Sequence, residues 1–177
     1  MKKVILLRHA KSSWSDPTVE DHDRPLNKRG KAAAPVIAQW LAHRKHLPDT
    51  VLCSSAKRTR QTVKRMKEIL PDLPSPEVDK SLYHAPPDDM RNRLSSLPKD
   101  CDTVLLVGHQ PGIGALTRKL SADVVRPRCA RAFEHFPTGA AAVLEFDIKN
   151  WSELDYKSAR FVDFAVPREL KERDGDS

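Results

Sequence analysis

The run Val4-Ile5-Leu6-Leu7-Arg8-His9 decides how this chain is read. Four consecutive apolar residues, too few for a helix and led by two β-branched ones, are the pattern of a short strand buried on both faces of a parallel sheet. The abrupt change to Arg-His places two cationic or titratable side chains at the carboxyl end of that strand. Two further runs repeat the arrangement. Thr50-Val51-Leu52-Cys53 feeds Ser54-Ser55-Ala56-Lys57-Arg58, and Thr103-Val104-Leu105-Leu106-Val107 feeds Gly108-His109.

The intervening segments read as helices. From Asn27, a plausible N-cap, to about Arg44, Val36, Ile37, Trp40 and Leu41 fall at helical spacing. Pro35 inside that stretch predicts a kink or a late start. Ser54 and Ser55 are placed to cap a second helix reaching about Leu70, with Val63, Met66 and Ile69 facing inward. A Pro-rich loop over 71–76 leads to a small strand near Val78. Helices are expected over Asp88–Leu97 and Gly112–Ser121, and the last two strands over Ala141–Asp147 and Ala159–Val166. This alternation predicts an α/β fold, a mostly parallel central sheet with helices on both faces. At 177 residues the chain is the size of one domain. That domain is expected over 1–166, followed by a charged, loose tail over 167–177.

Composition narrows the function classes. No apolar run approaches the ~18–20 residues of a membrane span, and the four apolar residues before Arg8 are too few for the ~7–15 of a signal peptide. Cys53, Cys101 and Cys129 are odd in number and far apart, which suggests neither a disulfide framework nor a paired-cysteine metal site. A cytoplasmic, reduced protein is the expectation. Thirty-one Lys and Arg against 24 Asp and Glu leave a net charge of +7, which fits either an ordinary solvated surface or an anionic partner. Three of the six glycines fall within Gly108-His109-Gln110-Pro111-Gly112-Ile113-Gly114, a first sign of a site.

In parallel sheets ligands bind beyond the carboxyl ends of the strands. If the three buried strands are neighbours, Arg8, His9, Ser54, Ser55, Arg58 and His109 meet at one edge. Guanidinium groups match phosphate oxygens with paired donors, and a neutral histidine is a nucleophile. A zinc site built from His9, His22 and His109 lacks short-spaced ligand pairs, and neighbouring arginines would repel the ion.

Several ordered segments turn this pattern into a resemblance. Leu7-Arg8-His9-Ala10-Lys11-Ser12 resembles the nucleophile motif of the histidine phosphatase superfamily, the phosphoglycerate-mutase-like proteins. The alanine where relatives commonly carry glycine is similar to the SixA-type phosphohistidine phosphatase branch. Asp21-His22-Asp23-Arg24-Pro25-Leu26-Asn27-Lys28-Arg29-Gly30, Ser54–Thr62, Leu82-Tyr83, Val107–Gly112 and Pro137–Ala140 also fit that branch, in order. The resemblance implies a three-layer sandwich of the phosphoglycerate-mutase type. It implies His9 as the nucleophile that becomes phosphorylated, and Arg8 and Arg58 as phosphoryl-oxygen ligands. His109 would be the second pocket histidine, donating to a phosphoryl oxygen. Ser15 and Arg24 would lie on the phosphate rim and His84 near the substrate. Lys11 would either touch substrate or lie on the surface, and Arg60 and Arg65 would be solvated helix charges.

Such chemistry requires neither metal nor cofactor, since arginines and His109 supply the positive charge. Many relatives carry a carboxylic acid near the Leu82-Tyr83 segment to protonate an alkoxide leaving group. Here that segment continues His84-Ala85-Pro86-Pro87-Asp88, with His84 and Asp88 as the available donors. A phosphoimidazole leaves as a neutral ring if its other nitrogen carries a proton, because imidazole titrates near ~6.5 whereas an alkoxide needs a proton from the enzyme. The expected function is therefore a phosphatase working through phosphohistidine on its own chain and acting on phosphohistidine of a signalling protein. The expected partner is a phosphotransfer domain or phosphocarrier. The alternative is a phosphomonoesterase acting on a small phosphorylated compound. A mutase fits less well, there being little chain for lid segments. A non-enzymatic phosphate-reading or nucleic-acid-binding protein fits less well too, since no aromatic interleaves with a Lys/Arg run. No nucleic acid or membrane partner and a monomeric state are expected.

Overall fold

The computed structural model describes residues 1–122 and 127–175. Strands β1 (Lys2–Arg8), β2 (Thr50–Ser54), β3 (Glu77–Asp79), β4 (Thr103–Gly108), β5 (Ala141–Phe146) and β6 (Arg160–Ala165) form one sheet in the order β3-β2-β4-β1-β5-β6. The first four are parallel, whereas β5 and β6 run antiparallel to their neighbours. Helices α1 (Lys28–His43), α2 (Lys57–Lys67), α3 (Pro87–Ser95), α4 (Gly112–Leu120), α5 (Arg131–Glu134) and α6 (Pro167–Gly175) complete the α/β architecture.

The period-2 alternation of strand side chains divides the core into two layers. Val4, Leu6, Leu52, Val104, Leu106 and Leu144 face one side and pack with Met90 and Leu94 of α3 and Leu116 and Leu120 of α4. Ile5, Leu7, Val51, Cys53, Leu105 and Val107 face the other and pack with Ile37 and Leu41 of α1 and Val63 and Met66 of α2. Because the central strands are covered on both sides, they consist of unbroken apolar residues. The three cysteines are free and buried. Burial pushes the Cys53 thiol up to about 12, which keeps it an inert, small packing group.

The structure corrects several local expectations. Helix α1 runs through Pro35 without a late start, capped at its beginning by Asn27, whose side chain accepts from the Gly30 amide at 2.8 Å. Proline removes only the bond to the Lys31 carbonyl, which lies on an exposed turn. Ser54 and Ser55 do not cap α2, whose N-cap is Ala56 with no side-chain cap bond. That helix ends at Lys67, so Ile69 is exposed rather than inward. The segment from 167, expected to be loose, forms α6 through Gly175. Its Leu170 packs against the core, and Glu169 pairs with Arg131. Positions 176–177 of that expected tail lie outside the described residues.

Gly30 locks α1 against the loop that follows β1. A Cβ there would sit 2.1 Å from the Lys11 carbonyl oxygen, a backbone atom that cannot rotate away. The same carbonyl accepts from the Asn27 amide at 3.0 Å. Gly30→Ala is expected to destabilise the fold by about 1–3 kcal/mol, as overpacking does. A lowered Tm in thermal unfolding checks this, and an unchanged Tm would refute the close approach.

Candidate active site

Strand register brings the three polar endings together. Arg8 of β1 lies opposite Gly108 of β4, and Cys53 of β2 lies opposite Val107. His9, Ser54 and His109 therefore emerge side by side at the carboxyl edge, with β4 between β2 and β1. The His9 amide continues the ladder to the Gly108 carbonyl at 3.1 Å. The His9 and His109 rings lie 5.3 Å apart, and both residues are buried.

Arg58, at the start of α2 and 2% exposed, joins the two histidines. Its Nε donates to His9 Nε2 at 3.3 Å and its Nη2 to His109 Nδ1 at 3.2 Å. Guanidinium only donates, so both ring nitrogens hold lone pairs. His9 Nδ1 lies 2.7 Å from the Ala10 carbonyl oxygen, which only accepts, so the proton of the neutral ring sits on Nδ1. The tautomer leaves the Nε2 lone pair toward Arg58. His109, accepting at Nδ1, carries its proton on Nε2 and donates it to Ser54 Oγ at 2.7 Å.

Burial, with the positive charge of Arg58 adding to it, keeps both rings neutral. It lowers His9 to about 3 against an imidazole's usual 6.5, although the Ala10 carbonyl opposes the shift, and it lowers His109 to about 2. Arg8 donates through Nη1 to the Phe136 carbonyl at 2.8 Å, while its buried Nε has no hydrogen-bond partner among the described residues. Burial and the Arg58 charge both weigh against the Arg8 cation, a repulsion that an anion between the two would relieve.

The residue that sequence reasoning missed is Asp21. Its backbone carbonyl accepts from Arg58 Nη1 at 2.7 Å and its Oδ2 from Arg58 Nη2 at 3.1 Å. The Tyr83 hydroxyl and His84 Nε2 converge on the same oxygen, and Arg24 Nε donates to Oδ1 at 3.2 Å. Partial burial raises the Asp21 carboxyl, but the Tyr83 and His84 hydrogen bonds and the Arg58 charge outweigh it and hold the group ionised, well below the usual carboxylate range. Asp21 therefore orients Arg58 and is no proton donor near neutral pH.

The remaining expected residues fall in different places. His84 joins the set, its ring 4.9 Å from that of His109. It does so with φ of +51°, a left-handed conformation that a non-glycine residue adopts at some energetic cost and that recurs at functional sites. Arg24 is buried and engaged by Asp21, Ser12 and Ser13, beneath the exposed ring of Trp14 at 3.4 Å. Ser15 is exposed, and its hydroxyl pairs with that of Ser13. Asp88 accepts from Tyr156 rather than from a member of the histidine set. Lys11 is exposed.

Three comparisons bear on this geometry. The Mycobacterium tuberculosis protein Rv1276c is 36% identical over 166 residues, covering 92% of this chain and all of that protein. Residues 4–83, which include Arg8, His9, Asp21 and Arg58, match the model of the histidine phosphatase superfamily, branch 1. This chain belongs to the histidine phosphatase superfamily. Within it, the SixA-type branch is the one it resembles in structure. A protein assigned as phosphohistidine phosphatase SixA from Nakamurella multipartitia superposes with a TM-score of 0.78 at 32% identity, over 94% of this chain and 96% of the other. The protein histidine phosphatase SixA complexed with tungstate gives 0.77 at 25% identity, over 95% and 99%. This histidine phosphatase thus has the phosphoglycerate-mutase-like α/β fold expected of it. Among its described residues no helix is long and apolar enough to cross a membrane.

The two neutral rings give the histidine phosphatase a pH signature. Unfolded, each titrates near 6.5, so below that value the unfolded chain binds more protons than the folded one. Their contribution to stability is complete above about pH 6.5 and is lost as pH falls through 6.5 toward the folded values of about 3 and about 2. At pH 5 each buried ring is expected to lower stability by about 2 kcal/mol. Urea midpoints at pH 7.5 and 5.0, in a buffer free of phosphate, measure this. Buried His46 also titrates low, so the informative quantity is the smaller pH-dependence of His9→Gln or His109→Gln relative to wild type. An equal dependence in all three would contradict neutral burial.

Proposed function

We propose that this chain hydrolyses phosphohistidine on a protein, passing the phosphoryl group through His9. The carrying observation is the charge state of the site: a neutral His9 whose Nε2 lone pair accepts from the Arg58 guanidinium, beside a carboxylate held ionised. The Nε2 lone pair attacks phosphorus and the P–N bond to the substrate imidazole breaks. That imidazole leaves neutral, keeping the proton already on its other nitrogen. His9 retains its Nδ1 proton on the Ala10 carbonyl, so phospho-His9 is itself a good leaving group. Water then attacks phosphorus, its proton passes to a phosphate oxygen, and His9 Nε2 regains its lone pair as inorganic phosphate departs. Arg8 and Arg58 stabilise the equatorial oxygens through preorganised donors.

His109 contributes through its partner Ser54. A hydroxyl both donates and accepts. When a phosphoryl oxygen displaces Arg58 from His109 Nδ1, exchange of the ring proton with solvent from Nε2 to Nδ1 lets Ser54 Oγ donate to Nε2 while Nδ1–H faces the anion. The SixA structure that holds tungstate, a tetrahedral oxyanion, supports an anion site in this branch.

His84 favours a second reading. Bonded to the Asp21 carboxylate at 3.0 Å and with its ring 4.9 Å from that of His109, it is placed as a proton donor for an alkoxide, which would make the enzyme a phosphomonoesterase. Turnover of a histidine-phosphorylated phosphotransfer domain against glycerol phosphate separates the two. The first reading expects kcat/KM at least about a hundredfold higher on the phosphodomain, the size of a missing general acid. Equal or faster hydrolysis of glycerol phosphate, lost selectively in His84→Ala, would establish the second.

A further inference from the structure

Helices α1 and α2 are packed side by side and contain no acidic residue. Three Lys or Arg on α1 and six on α2 give them a formal +9, so the rest of a chain whose total is +7 carries a net −2. On α2 the buried side chains are Arg58, Thr59, Thr62, Val63 and Met66. At 100° per residue these occupy one side, which turns Lys57, Arg60, Lys64 and Lys67 outward on the other. Lys31 of α1 lines one surface hollow with Gln61, Lys64, Arg65 and Glu68 of the α2 segment. Arg65 is offset by Glu68 at 3.1 Å, but among the described residues no carboxylate lies within 4.0 Å of Lys31, Lys57, Arg60, Lys64 or Lys67. A second arginine-rich hollow, along β6 and α6, differs: Arg44, Arg131 and Arg160 there are paired with Asp163, Glu169 and Glu145.

We propose that this outer face of α1 and α2 docks an acidic protein surface surrounding the phosphorylated residue of the substrate. The proposal rests on the phosphohistidine-protein reading and names the surface of that substrate. Continuity with the active site supports it, since the helix that carries the basic face has Arg58 in its first turn. At about 1.5 Å per residue, Lys64 and Lys67 lie about 9 and 14 Å along the axis from Arg58. A small phosphorylated compound does not span that distance, whereas a protein held by its phosphoryl group must cover it. The face also fits protein better than nucleic acid. Helix α2 has no aromatic residue on which bases could stack, and Trp40 of α1 packs against the core.

The test uses p-nitrophenyl phosphate and an acidic, histidine-phosphorylated phosphotransfer domain, with wild type and the Lys31→Glu/Lys64→Glu/Lys67→Glu variant. None of the three lysines belongs to the catalytic set. The variant is expected to hydrolyse p-nitrophenyl phosphate within twofold of wild type yet to lose about tenfold or more in kcat/KM on the phosphodomain, mainly in KM. Wild-type kcat/KM on the phosphodomain falls between 20 and 200 mM salt, and the variant's does not. Neutralising the acidic residues around the domain's phosphohistidine reproduces the loss in wild type. Wild-type efficiency of the variant on the phosphodomain would overturn the docking face while leaving the phosphohistidine reading intact. So would tighter binding of wild type to a 20-base-pair DNA duplex than to the domain. Failure of wild type to turn over the phosphodomain while it hydrolyses p-nitrophenyl phosphate would overturn that reading and the docking face together.

Discussion

His9→Ala is expected to lower kcat on p-nitrophenyl phosphate by at least about a thousandfold, because under the proposed mechanism the variant has no nucleophile through which to divide the reaction into two steps. The leaving group is acidic enough to depart without a donor, so the loss isolates His9 from any contribution of His84. Wild type quenched during turnover should carry phosphate on histidine, labile to acid and stable to base, and the variant should carry none. The variant should remain folded by circular dichroism, since it loses a neutral ring rather than one half of a buried ion pair. Residual activity within tenfold of wild type would exclude His9 as the covalent carrier.

Arg58→Ala is the second large effect. One guanidinium contacts His9, His109 and Asp21, the last through both its backbone carbonyl and its carboxylate. Removing it takes away donors aimed at the developing phosphoryl charge and releases both rings, and kcat/KM should fall by about 10²–10³. Arg58→Lys should recover little of this, because a single ammonium cannot donate along a planar fork to three partners. Stability should suffer less than activity. The Asp21 side chain is 42% exposed and can be rehydrated when its partner is lost, which limits the cost to about 1–2 kcal/mol. Kinetics of both variants alongside thermal unfolding check the separation, and near wild-type kcat/KM in Arg58→Lys would refute the fork geometry.

The two effects differ in how visible their residues were in the chain. His9, Arg8, Arg58 and His109 follow buried strands or open the helix behind one, and buried strands announce themselves as short apolar runs. Asp21 does not. It is one of several acids in the polar stretch between β1 and α1, and nothing local distinguishes it from Asp16 or Asp23. Its identity comes from the fold, which brings the loop to Arg58, 37 positions later, and to Tyr83, 62 positions later. The serines were misjudged for a related reason. Ser54 and Ser55 immediately precede a helix, where a hydroxyl ordinarily caps, but Ser54 bonds His109 and Ser55 bonds His22 at 2.9 Å. A hydroxyl's partner is whichever group tertiary packing places nearest, and local propensity describes only the neighbours in sequence.

Strand direction shows the same division. The apolar runs of β1, β2 and β4 required burial on both faces, and burial on both faces required helices above and below. The reversal of β5 left no comparable mark, because an antiparallel strand covered on both faces is equally apolar. The sequence alone thus determined an α/β sheet, the cationic character of its carboxyl edge and the chemical types gathered there, since hydrophobic periodicity and side-chain chemistry are properties of the chain. Tertiary structure alone decided that β4 lies between β1 and β2, that Asp21 holds Arg58, that His9 keeps its proton on Nδ1, and that two acid-free helices form one basic face. Those are matters of which atoms lie within about 3 Å of one another, and hydrogen bonds form only at that range.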